Sequence, residues 1–154
     1  MSKKATPMDA QLILHLYELR REAELRKARS WMLGEFWPEN ADDYLKVISA
    51  SGTQENNWLR QVGSYWGMAA SFALHGALNA DLFLQPQMSG EMYFLFAKVH
   101  PFLKELREKI GDPEMFGTIE KLITGSKYGR DRLKLTLKRV EALREKRAAS
   151  AKAS

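Results

Sequence analysis

There is no cysteine among the 154 residues. Disulfides, thiolate metal sites and a thiol nucleophile are therefore excluded. Histidine is almost as scarce, with His15, His75 and His100 the only three. None follows a glutamate by three residues, so the Glu-x-x-His pairs of di-iron bundles are missing. A His-Glu-x-x-His zinc motif is missing as well. His15 shares a helical face with Glu18 and Glu22, but Arg26 and Arg29 continue that stripe and make it an ion-paired surface. Gly125 to Gly129 (GSKYG) has the wrong order and spacing for a phosphate loop, and no Gly-x-Ser-x-Gly elbow occurs. These absences lean against an enzyme and leave no catalytic residue, metal or cofactor to assign. No alternating Val/Ile/Thr run is long enough to read as a strand. The N-terminus MSKKATPMDAQ has no apolar h-region, so no signal peptide is expected. Together with the missing cysteines, that points to the cytoplasm.

What is present is helical periodicity in a chain the size of one domain. Residues 1–6 read as a flexible basic tail, 7–149 as a single helical domain, and 150–154 as a disordered tail. Thr6 and Pro7 open a helix running to about Leu33, stopped by Gly34. GEFWPEN then forms a loop whose Trp37 is expected at a contact surface. Asn40 caps a short helix ending at Ser51-Gly52, and Thr53 caps a long helix to about Leu78. Pro86 is expected to close any turn in the ambiguous 80–88 stretch. Ser89 opens a helix to Ile110, which Pro101 must kink or split, and Gly111 follows. Asp112-Pro113-Glu114 reads as a strong helix start, and the last helix runs from Tyr128 to about Ala148. The fold class expected is all-α, an irregular antiparallel bundle of five or six helices around the 54–78 helix.

That central helix carries no formal charge from Gln61 to Ala80. Its length suits a membrane span, but Gly, Ser, Tyr, Trp and His make it weakly hydrophobic, so a core helix is the better reading and no membrane span is expected. Gly63, Gly67 and Ala70 lie on one face, where small residues would admit a closely packed neighbour. A second face carries Asn57, Gln61, Ser64, Met68, Ser71, His75 and Asn79. Except for Met68 it is neutral and polar, at spacings that suit an edge of the core, a partner helix or a ligand cleft.

Charge is unevenly placed. Residues 121–152 hold eleven Lys and Arg against three acids, leaving the rest of this +5 chain slightly negative. Lys127, Arg130, Arg132, Lys134, Lys138 and Arg139 form a candidate anion-binding surface. Against that, base-stacking aromatics and a helix-turn-helix pattern are lacking, and basic residues also suit a helix C-terminus.

Two stretches, LYELRREAELRKARSW (16–31) and SYWGMAASFALHGALNADLF (64–83), resemble a bacterial family of small all-helical proteins of unknown function. The resemblance implies a bacterial, all-helical protein, and supplies no activity or ligand. The function expected is a non-enzymatic interaction or scaffold module that self-associates. The alternative is nucleic-acid or anionic-surface binding through the last helix. Small-molecule binding along the polar stripe stands third.

Overall fold

A computed structural model describes residues 3–154. Its nine helices are α1 (Pro7–Arg20), α2 (Ala23–Gly34), α3 (Ala41–Ser49), α4 (Gln54–Leu74), α5 (Ala80–Phe83), α6 (Pro86–Val99), α7 (Leu103–Ile110), α8 (Gly117–Thr124) and α9 (Lys127–Ala153). A 3₁₀ turn at His100–Phe102 joins α6 to α7. No strand occurs among the described residues. The fold is the expected all-α bundle. Its larger helix count comes from breaks within the expected helices and from the short α5.

Several ends fall where local chemistry puts them. The Thr6, Asn40 and Thr53 side chains accept from the N–H of Asp9, Asp43 and Asn56. Pro101 divides the 86–110 span, and Gly111 closes α7 with φ 76°.

Other ends depart from expectation for identifiable reasons. The helix expected from residue 8 to 33 breaks at Arg21–Glu22. Glu22 turns extended and its carboxylate accepts from Leu25 N–H at 2.9 Å, restarting the helix. Arg29 takes the freed Arg20 carbonyl at 3.1 Å. The central helix ends at Leu74, because Gly76 adopts φ 78° and Leu78 N–H folds back onto the Phe72 carbonyl. Pro86 opens α6 at its first turn, and Ser89 lies inside that helix with non-helical φ −131°. The turn at Asp112 is no helix start. Its carboxylate accepts from Glu114 N–H, and Phe116 adopts left-handed φ 59°, so α8 begins only at Gly117. Such a conformation costs a non-glycine residue about 1–3 kcal/mol. The Phe116 ring offsets this by packing 6.1 Å from Tyr44 and 6.3 Å from Phe96, centroid to centroid. The last helix continues through the alanine-rich stretch to Ala153, so the segment expected to be a disordered tail is helical almost to its end. Of the expected N-terminal tail, residues 1 and 2 lie outside the described residues, and Lys3–Thr6 precede α1 as exposed coil.

The core is contiguous. α4 packs against α2, α3 and α8, while α6 packs against α9 and α2. Trp66, Tyr93, Phe83, Phe96 and Leu95 are fully buried within it. α6 is as central as α4, since every residue from Leu95 to Val99 is buried.

Candidate functional site

The polar face of the central helix is its solvent edge. Asn57, Ser64 and Met68 are exposed on α4, and Gln61 and Ser71 are half-buried. The stripe ends with the helix. His75 is an exposed C-cap whose Nδ1 lies 2.9 Å from the Ser71 carbonyl, and Asn79 caps α5 instead. Asn79 also holds the N-terminal segment against the start of α5, its N–H on Asp9 and its side-chain amide on the Lys3 carbonyl. The stripe is therefore not one continuous wall.

The glycine face differs from expectation too. Ala70 is buried, but a Cβ at Gly63 or Gly67 would meet nothing within 4 Å. These glycines line an open cleft of about 270 Å³ between α4, the end of α3 and the start of α8. Tyr44, Arg60, Ser64 and Thr118 contribute polar groups to its lining, and Phe116 an aromatic one. The tightest backbone approach is at Gly129, where a Cβ would collide with the Ile123 carbonyl.

The basic residues of α9 are partly engaged. Lys127 pairs with Asp131, Arg130 donates to the Thr124 carbonyl at 2.6 Å, and Arg132 is half-buried. Lys134, Lys138 and Arg139 are exposed. At 100° per residue, Lys127, Lys134 and Lys138 share their outward face with Asp131, Glu141 and Glu145. That face alternates in sign and is not a uniform cationic strip.

The most unusual polar residue was not among those expected. Lys98 is 0% exposed. Its ammonium donates to the carbonyls of Met32 (2.5 Å) and Phe36 (2.7 Å), at the C-terminal end of α2. It also lies 3.9 Å from the Trp37 ring centroid and 4.6 Å from that of Phe94. Trp37 Nε1 and Arg147 close the remaining Gly34 carbonyl, and Arg144 ties the Pro38 and Lys98 carbonyls to α9. Trp37 is thus half-buried beneath three cations and not a free contact surface. Burial, then the charges of Arg144 and Arg147, push the Lys98 pKa down to about 7. The carbonyls, the ring faces and the negative end of the α2 dipole favour the ammonium. The signal in the sequence was that Lys98 is the only formally charged residue between Met92 and Phe102.

A half-buried cluster joins Arg20 and Arg29 to Glu91, at 3.0 and 2.5 Å. Burial opposes ionisation of Glu91, but the two guanidiniums outweigh it and hold the carboxyl below its usual range. This clamp ties α1 and α2 to α6. Among the described residues no group of three or more His, Asp and Glu is placed to hold a metal ion. No described helix is long and apolar enough to cross a membrane.

Residues 5–126 match the model of a family described as a domain of unknown function, DUF4760. The chain belongs to this family. The matched span takes in α1 to α8 and ends just before α9, so the cleft and Lys98 lie within it and Arg144 and Arg147 lie beyond it. No curated protein and no solved structure matches the chain.

Proposed function

We propose that the chain is a non-enzymatic, cytoplasmic interaction module that self-associates, with α1 as the docking helix and a second copy of the chain as its partner. One observation carries the reading. Leu14 and Tyr17 stand out from the bundle at 65% and 52% exposure. With Ala10 they follow a 4–3 spacing on the flank of α1 opposite buried Leu16. That is the narrow apolar seam by which one helix packs on another. A closed dimer needs only a self-complementary patch, so two identical seams suffice.

Light scattering at micromolar concentration tests this. The reading predicts a dimer that becomes a monomer in the Leu14→Glu/Tyr17→Glu double variant, with helicity unchanged because neither side chain is in the core. A wild-type monomer across that range would sink it.

A further inference from the structure

We propose that the cleft between α4 and α8 binds a small amphipathic acid, with its carboxylate held by Arg60, the Tyr44 hydroxyl and the N-terminus of α8, and its apolar body lying over Gly63 and Gly67. The proposal is independent of self-association through α1.

Three features converge. The first is the start of α8. The N–H groups of Phe116, Thr118 and Ile119 have no acceptor among the described residues, and no side chain caps the helix. Open N–H groups at the positive end of a helix dipole attract an anion.

The second is Tyr44. It is only 3% exposed and lines the cleft, yet its hydroxyl has no hydrogen-bond partner among the described residues. The Tyr93 hydroxyl, by contrast, is sealed from solvent. The Tyr44 ring packs against Phe36 and Phe116, and in this proposal its hydroxyl donates to the ligand. Burial raises its pKa, and the nearby Arg60 charge acts against that. It therefore stays a neutral donor.

The third is the way Arg60 is held. Its Nε donates to Asn56 Oδ1 at 3.0 Å. Asn56 is itself buried, with its amide fixed on the Val47 and Ile48 carbonyls at the end of α3. The guanidinium is thus oriented through its Nε, while its two terminal nitrogens make no hydrogen bond among the described residues and are placed to grip a carboxylate in a bidentate manner. Asn56 is a positioning residue in this scheme.

The size and charge of the cleft select the ligand. About 270 Å³ lies just below the range of drug-sized sites, so the body must be compact. Ile48, Leu59, Met115 and Ile119 supply apolar walls. Glu114, the one acid in the lining, lies with its carboxylate beside Gly117 at the start of α8, where it pairs with Lys121 at 2.8 Å. With Glu114 neutralised by Lys121, the Arg60 guanidinium balances a single negative charge, and the Tyr44 hydroxyl and the helix start add donors to it. A dianionic phosphate would leave excess charge facing Glu114.

Calorimetry with benzoate, phenylacetate and hexanoate, with their primary amides and inorganic phosphate as controls, tests the assignment on the full chain. At least one carboxylate should bind, with its amide ten or more times weaker. Arg60→Gln should weaken it about tenfold or more. Tyr44→Phe keeps the ring and should weaken binding several-fold without lowering the melting temperature. Gly67→Leu fills the cleft from a position with free space around its Cβ, and should abolish binding while the protein stays folded. The proposal is overturned if no carboxylate binds at millimolar concentration. It is also overturned if amides or phosphate bind as well as carboxylates, or if folded Gly67→Leu binds like wild type.

Discussion

The C-terminus of α2 and the N-terminus of α8 are both helix ends set among aromatic rings, and they are finished in opposite ways. Every helix end leaves backbone groups without intrahelical partners. At α2 they are filled. Trp31 receives Glu35 and Phe36 N–H, Met32 receives Lys98, and Gly34 receives Trp37 and Arg147. At α8 the N–H groups of Phe116, Thr118 and Ile119 find no acceptor among the described residues, and all three residues line the open cleft. A lowered lysine pKa is often read as chemistry, yet Lys98 has donors matched to acceptors and no exposed surface beside a substrate. Saturation marks it as a structural staple. The unfilled end, with its idle tyrosine and tethered arginine, is where a ligand has something to bind.

The largest expected effect is at the far end of α8, which is as closed as the near end is open. Gly129→Ala forces the added methyl against the Ile123 carbonyl. It should destabilise by about 3 kcal/mol in urea melts, the upper part of the range for overpacking. A neutral result would mean that α8 and α9 separate easily and that the cleft wall is not rigid.

Next is the staple. Lys98→Met keeps the volume but strands the Met32 and Phe36 carbonyls, and should cost about 2 kcal/mol. The deficit should also depend on pH. The folded pKa of about 7 lies below the unfolded 10.5, so the native state binds fewer protons than the unfolded state between those values. Stability from this group therefore rises with pH across that window, and none of that gain remains below about pH 7. Denaturant melts of the two proteins should show a deficit larger at pH 9 than at pH 6. A deficit independent of pH would show that Lys98 keeps its proton throughout.

The smallest effect has the opposite sign. Gly67→Ala adds a methyl that meets nothing, so it should stabilise α4 by roughly 0.5–1 kcal/mol through helix propensity. A loss of stability there would restore the expectation of a tightly packed glycine face.

What could be read in advance was local. Thr6, Asn40, Thr53, Pro101 and Gly111 act on backbone within a turn of themselves, and the structure uses each as its residue type dictates. What escaped depends on distant partners. The break at Glu22 goes with a clamp in which Arg20 and Arg29 meet Glu91, 71 and 62 residues away. Pro113 has the look of a helix start, but Phe116 is drawn to Tyr44 and Phe96 and delays it. Gly63 and Gly67 were recognisable as unusual, but whether a small residue admits a neighbour or leaves a space depends on the neighbour. The cleft has no contiguous signature, since Tyr44, Arg60 and Thr118 come from three different helices. Ser64 is the one member of the polar stripe that lines it.

The contrast between the two helix ends is tested most directly by an amide NMR titration of the wild-type protein with the tightest-binding carboxylate. The account predicts that the Thr118 and Ile119 N–H resonances move downfield, with Gly63 and Gly67 shifting alongside, while residues 32–37 around Lys98 stay in place. Shifts centred on residues 32–37, or spread without reaching Thr118 and Ile119, would contradict it.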